Sequence, residues 1–393
     1  MTSSVVIGGA RTPIGKLKGG LSDVPAVDLG AVAIREALAR SDVDPGQVDY
    51  VIMGHVLQAG AGQITARQAA IGAGIPKEVP AVTINKVCLS GINAIALADQ
   101  LIRAGEVEIV VAGGMESMSG APYVLPKARD GSRLGDTELV DSMIHDGLWS
   151  TFTRQHMGES SDEINAELGI TRTEQDEWAA RSHRRAAAGW ESGALAEEVV
   201  AVEVSSRGGA TIVERDEGIR PQSTVESLGK LNPAFRPDGT ITAGNASQIS
   251  DGGAAVVVMS RERADRLGLA PIAEIVAHGM SADRFPYLHT VPAIALQNAV
   301  KKAQLDVHDL GLLEVNEAFA AVAVNVTRVL GFDEELVNVN GGAVALGHPI
   351  GASGARIVLT LVHEMRRRGV DLGGATICGG GGQGDALVVR RIA

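Results

Sequence analysis

The chain reads as an α/β protein built from two similar halves with a region inserted between them. Three observations predict this. Short apolar runs alternate with stretches whose apolar residues recur at helical spacing, which implies parallel strands, crossover helices and a sheet buried on both faces. The order of elements near the N-terminus recurs near the C-terminus, which implies an internal duplication. Residues 119–247 carry more charge and more loop signals than either flank, and read as an excursion that covers a site.

The elements follow in order. Residues 4–8 form a strand. Residues 27–40 form a helix with Leu29, Val32, Ala33 and Leu38 at helical spacing. Residues 50–54 and 81–85 are strands, 92–103 a helix apolar nearly all round and so buried, and 108–112 an apolar strand. Within the excursion a helix spans 173–189, with Thr171 or Thr173 as N-cap and Asp176 and Glu177 in its first turn. Residues 251–260 return as a core strand of the first half. In the second half Val337-Asn-Val-Asn340 matches Val82-Thr-Ile-Asn85. Gly351-Ala-Ser-Gly354 with helix 357–365 matches Cys88-Leu-Ser-Gly91 with its helix, and strand 374–380 matches 108–114. The expected units are therefore 1–118 with 248–269, then 119–247, then 270–393. Junctions from the two halves can face each other across a pseudo-twofold axis, which would bring Cys88 and Cys378 together.

Composition narrows the function. Of 393 residues, 45% are hydrophobic but only 3% aromatic, and 49 are glycine, so the core must be close-packed Ala, Val, Ile and Leu. A net charge of -12 argues against nucleic acid, whose phosphates dominate affinity. An anionic ligand must instead meet a local cluster of Arg and Lys or helix N-termini. Two cysteines far apart in the chain make no disulfide framework and point to a reducing compartment. The sequence shows no apolar run of membrane-spanning length and no signal peptide, so a cytoplasmic protein without a membrane partner is expected.

Four residues carry chemistry. Cys88 lies where a strand becomes a helix, near unpaired backbone N–H groups, which is expected to lower its pKa and make it a nucleophile. His348 sits in Gly347-His-Pro349, where the proline keeps it out of helical geometry and fixes it on a turn. Cys378 precedes four glycines that let backbone approach a ligand and leave N–H groups for an oxyanion; a second thiol there suggests a proton shuttle. Asn316 ends a strand before an apolar helix, as an N-cap or as the holder of a water that donates to a substrate oxygen. Together they are what two-stage acyl transfer needs.

The ordered set Arg11-Thr-Pro-Ile-Gly15, Cys88-Leu-Ser-Gly91, Gly113-Gly-Met-Glu-Ser-Met-Ser119, Thr242-Ala-Gly-Asn-Ala-Ser247, Asn316-Glu-Ala-Phe319, Asn340-Gly-Gly-Ala343, Gly347-His-Pro349 and Cys378-Gly-Gly-Gly-Gly-Gln-Gly384 resembles the thiolase family over essentially the whole chain, in its short-chain acetyl-CoA acetyltransferase branch. The resemblance implies an αβαβα layered core with an inserted loop domain. It implies reversible Claisen condensation of two acetyl-CoA to acetoacetyl-CoA plus CoA, by a ping-pong route through acetyl-cysteine. The alternative within the family is a degradative 3-ketoacyl-CoA thiolase for longer chains.

By the same resemblance Cys88 is the nucleophile, His348 activates it and polarises the thioester, and Cys378 takes the α-proton. Asn316, through a water, and His348 form one oxyanion hole, and the N–H groups of Cys88 and Gly380 form the other. His156, Met157, Arg220, Phe235, Ser247 and Phe319 match coenzyme A contacts. No cofactor or metal is implied beyond CoA thioester substrates, and a homotetramer is the expected assembly. Leu89, Gln248 and the stretch 281–292 depart from the family pattern and are expected to narrow or reshape the acyl slot.

Overall fold

The computed structural model describes residues 3–131, 134–206, 209–284 and 287–392, so Phe285 and Pro286 of the 281–292 stretch lie outside the described residues. The first half runs β1 (Ser4–Arg11), α1 (Ala26–Arg40), β2 (Tyr50–Gly54), α2 (Thr65–Gly72), β3 (Ala81–Ile84), α3 (Ser90–Ala104) and β4 (Ile109–Ser117). The excursion contains α4 (Met157–Leu168) and α5 (Arg172–Glu191), after which β5 (Ser250–Ser260) returns to the sheet. The second half runs β6 (Ala273–Ala282), α6 (Val291–Lys302), β7 (Leu312–Val315), α7 (Ala320–Leu330), α8 (Ser353–Arg368), β8 (Leu372–Gly379) and β9 (Gln383–Arg391).

The strand order states the duplication directly. In the first half it is β3-β2-β4-β5-β1, and in the second β7-β8-β9-β6. Corresponding pairs have the same sense: β2 is parallel to β4 as β7 is to β8, and β5 is antiparallel to β4 and β1 as β9 is to β8 and β6. The two ladders join where β1 meets β6 at Val5–Glu274 and Val6–Ala273. The all-parallel expectation is thus corrected to a mixed sheet. Strands β8 and β9 are joined by a tight turn, Gly380–Gly382, which can link only antiparallel neighbours. Gly381 and Gly382 sit at φ 83° and 68°, a region that favours glycine.

The expected strand at 337–340 is a second correction. Only Val337 bridges to Leu313, and Asn338 turns away at φ 48°. Its side chain takes over the edge pairing: Oδ1 accepts from Val315 N at 2.7 Å and Nδ2 donates to Val315 O at 2.8 Å. An amide side chain thus replaces the backbone that the first half uses in β3.

Three large cores hold five layers together, the middle one covering both faces of the central helices. Val5, Ile34, Leu38 and Val111 pack α1 and α2 on one outer face. Leu296, Leu313, Val322 and Val388 pack α6 and α7 on the other. Ile92, Ile95, Ile357, Val358 and Leu361 fill the middle, where α3 and α8 lie against each other between the sheets. Each such Leu or Ile contributes about 1.5–3 kcal/mol on burial. The segment Val87–Ala104 has the length and mean hydropathy (1.3) of a membrane span, but Asn93, Asp99 and Arg103 interrupt it and 61% of it is buried in this middle layer.

Close approach in that layer requires glycine at two matched points. A Cβ on Gly91 would fall against Ala355 N, and one on Gly354 against Ile92 N. The first turns of α3 and α8 therefore touch backbone to backbone. The excursion is fastened to the second half through buried Glu317, which accepts from Trp178 Nε1 and Ser182 Oγ of α5, both at 2.8 Å, and also from Asn338 Nδ2 and Val344 N. Helix α5 starts as the sequence suggests, with a capping box between Thr171 and Glu174.

Candidate active site

Both helices of the middle layer point their N-termini at one place. Before α3, β3 ends at Ile84 and the chain turns sharply. Val87 sits at φ 50°, unusual for a β-branched residue. The turn is held by side chains: Asn85 Oδ1 accepts from Val87 N at 3.0 Å, and Ser90 Oγ accepts from Lys86 N at 2.9 Å and donates to Val87 O at 2.7 Å. Cys88 follows this bend. Its sulfur accepts hydrogen bonds from the backbone N–H of Gly380 and from its own.

The electrostatics correct the sequence expectation. Burial pushes the Cys88 thiol up to about 12, with Glu116 adding to the rise, and the hydrogen bonds only partly oppose it. Burial, and then the neighbouring Cys88, push Cys378 up as well. Both are free thiols, so each rests protonated and needs a base to react.

His348 lines the same pocket as Cys88. Its Nδ1 lies 2.6 Å from Ser353 Oγ, and Ser353 Oγ donates its one proton to Pro349 O at 2.9 Å. The hydroxyl can therefore only accept from the imidazole, so Nδ1 carries the proton and Nε2 is left with a lone pair. Asn316 Nδ2 reaches Nε2 at 3.4 Å. Burial holds His348 down to about 3, so it is neutral at physiological pH. Its backbone N–H is fixed by Gln248 O and Ser250 Oγ, both at 3.1 Å. Asn316 is fully buried, and its N–H donates to Thr376 O at 3.0 Å, two residues before Cys378.

Cys88 and His348 open into a pocket of about 220 Å³, lined also by His156, Met157, Phe235, Ser247 and Phe319 from the expected coenzyme A set. The aromatic wall is ordered: His156 stacks on Phe235 at 4.7 Å, and Phe235 meets Phe319 edge-on at 6.2 Å. His156 Nδ1 accepts from Gly158 N at 3.1 Å, which leaves its Nε2 as a donor. Arg220 is not among the lining residues; it is exposed, and its N–H donates to His183 Nδ1 at 3.1 Å.

Two departures from the family pattern sit differently, one off the pocket and one on its wall. Leu89 is buried beneath Gly379 of the glycine hairpin and is not among the pocket residues, so it does not narrow the slot. Gln248 lines the pocket, but its Nε2 donates to Gly218 O at 3.0 Å, away from the cavity. Residues that the sequence reading missed complete the wall: Met118, Ile144, Leu148 and Ile350. Ser353 was missed too, although its place one helical turn past Pro349 was legible.

Comparison with known proteins gives one consistent result. Residues 4–262 match the family described as thiolase, N-terminal domain, and residues 269–391 match thiolase, C-terminal domain. The chain is 56% identical over 388 residues to a probable acetyl-CoA acetyltransferase of Mycolicibacterium smegmatis, covering 98% of this chain and 100% of the relative. It is 50% identical over 392 residues to an acetyl-CoA acetyltransferase of Cupriavidus necator, covering 100% of both. The crystal structure of the Bacillus anthracis acetyl-CoA acetyltransferase superposes with a TM-score of 0.97 at 42% identity, covering 100% of this chain and 99% of that one.

Proposed function

The chain belongs to the thiolase family, and we propose that it is an acetyl-CoA acetyltransferase, joining two acetyl-CoA into acetoacetyl-CoA and CoA through an acetyl-Cys88 intermediate. The observation that carries this reading is the meeting of Cys88, neutral His348 and the Gly380 N–H at the end of one apolar pocket, with Cys378 beside them.

In the first stage His348 Nε2 takes the Cys88 proton as the sulfur attacks the thioester carbonyl. The departing CoA thiolate takes the proton of Cys378, which is left as a thiolate beside acetyl-Cys88. In the second stage that thiolate removes an α-proton from a second acetyl-CoA. The resulting enolate attacks the acetyl carbon and forms the new carbon–carbon bond. Cys88 leaves as a thiolate and regains its proton from His348. Atoms and protons then balance as two acetyl-CoA in, acetoacetyl-CoA and CoA out.

With the imidazole near 3 and the thiol near 12, His348 takes the Cys88 proton only in concert with attack on the thioester. A thiol pushed up by burial gives a strongly basic thiolate, matched to a weakly acidic α-proton. An imidazole held down to about 3 gives its proton back readily. Developing oxyanions find donors in the Cys88 and Gly380 N–H groups and, on the other side, in protonated His348 Nε2 with Asn316 acting through a water. The reaction uses CoA thioesters and no further cofactor. A homotetramer in the cytoplasm completes the reading, and two free buried thiols fit a reducing compartment.

A longer-chain 3-ketoacyl-CoA substrate is favoured by one observation. A groove of about 680 Å³ shares Gly147 and Met157 with the pocket and reaches Val87 and Gly380. A thiolysis series from acetoacetyl-CoA upward decides between them. A sharp fall beyond four carbons supports the short-chain enzyme, and sustained rates overturn it. Intact mass after acetyl-CoA alone tests the intermediate: an acetyl adduct at Cys88 is expected, and its absence overturns the ping-pong route.

A further inference from the structure

The turn that carries Cys88 is gripped by a carboxylate from the opposite half of the molecule. Asp385 on β9 is fully buried. Its two oxygens lie 2.8 and 2.9 Å from Lys86 Nζ, two residues before the nucleophile. Asn93 Nδ2, in the first turn of α3, donates to the same carboxylate at 3.2 Å, and His278 Nε2 of β6 stands 3.8 Å away. In the ladder Asp385 pairs with Ile377, while the next position joins Cys378 to Gly384. The carboxylate that holds the Cys88 turn is therefore one ladder step from the second cysteine.

We propose that Lys86 and Asp385 are positioning residues that set the alignment of Cys88 with Cys378 across the two halves; this rests on the acetyl-transfer reading above. The two cysteines belong to different halves, so no short stretch of chain fixes their separation. The turn bearing Cys88 also contains the strained Val87, and its local holds, Asn85 and Ser90, lie within the first half. The ion pair is the contact that refers this turn to β9. One ammonium nitrogen spans both carboxylate oxygens, so the pair fixes the distance of the turn from β9. The two chemical stages differ in what they ask of it. Acetylation of Cys88 draws on Cys378 only for a proton to the leaving thiolate, and α-proton removal draws on Cys378 alone. Carbon–carbon bond formation needs the acetyl carbon on Cys88 and the enolate made by Cys378 in register together.

The test uses the full chain with Asp385→Asn, and with Lys86→Gln/Asp385→Asn. Lys86 is 23% exposed and can turn to water when the carboxylate charge is removed. Three rates are read: acetylation of Cys88 by acetyl-CoA, deuterium exchange into the acetyl methyl in heavy water, and condensation with its kcat and KM. Acetylation and exchange are expected to stay within a few-fold of the wild type with KM unchanged, while condensation falls about 100-fold, the cost of misplacing reacting groups by an ångström. Lys86→Arg, which keeps the charge opposite Asp385, should retain part of the condensation that the charge variants lose. Asn93→Ala, which leaves the ion pair intact, gives the same bias more weakly should the charge variants fail to fold. Condensation that falls no further than acetylation, in any folded variant, overturns the proposal. A wild-type chain that neither takes acetyl at Cys88 nor exchanges the methyl protons overturns the acetyl-transfer reading instead.

Discussion

His348 Nδ1 and Ser353 Oγ stand 2.6 Å apart, and the serine proton is already given to Pro349 O. One hydroxyl thereby decides which imidazole nitrogen is basic. The lone pair is left on Nε2, the nitrogen that Asn316 Nδ2 approaches.

Ser353→Ala removes the acceptor for Nδ1–H and frees the other tautomer. Acetylation of Cys88 should slow by roughly 10-fold or more, part of the 10²–10⁴ that a positioned general base supplies. Single-turnover release of CoA measures it. A rate equal to the wild type would show that Ser353 does not set the tautomer.

Cys88→Ala should take up no acetyl group. Cys378→Ala should still be acetylated, more slowly for want of a proton donor to the leaving thiolate, but should form no acetoacetyl-CoA. Mass spectrometry and a condensation assay separate the two. Equal loss of acetylation in both variants would reverse or merge the assigned roles.

Alkylation should reach Cys88 before Cys378, because Cys88 lines the pocket and Cys378 is not among its lining residues. With Cys88 pushed up to about 12, the labelling rate should climb tenfold per pH unit from 7 to 9 without levelling. A plateau near neutrality would mean a resting thiolate.

Four buried histidines link stability to pH. Burial holds His289 and His348 down to about 3, and His55 and His183 down to about 4. Unfolded, each titrates near 6.5, so between that value and the folded one the unfolded chain binds more protons and stability falls as pH drops. Each contributes up to about 1.4 kcal/mol per pH unit. Glu116 and Glu314, pushed up to about 8, act in the opposite sense between 4.5 and 8. Denaturant midpoints should therefore fall most steeply between pH 4.5 and 4, where the glutamates no longer oppose and all four histidines still contribute. A midpoint independent of pH from 6 to 4 would contradict this.

The alternation of strand and helix was legible because both periods are written in apolar residues, and every expected helix is present within a few residues. Strand sense was not, since β5 reads like a parallel core strand, and β9, absent from the sequence expectations, has its direction set by the short β8–β9 turn. The expected strand at 337–340 failed because Asn338 pairs through its side chain, which no apolar pattern records. The four chemical residues do converge, as their flanking glycines and proline suggested. The Cys88 pKa went the other way because a helix terminus lowers it less than full burial raises it. Arg220 is exposed and lies off the pocket, where its guanidinium can meet the phosphate or base that the family resemblance implies.

The contact of Gly91 with Ala355 and of Gly354 with Ile92 ties the history of the two halves together. After a duplication, two copies are ordinarily free to diverge, each answering only to its own fold. Here any side chain added at either glycine would push the opposite helix, and with it either the turn of Cys88 or the loop of His348. The copies could specialise their loops, one for the nucleophile and one for the base, but not the spot where they touch. Neither half can add a side chain at this point without moving the catalytic loop of the other.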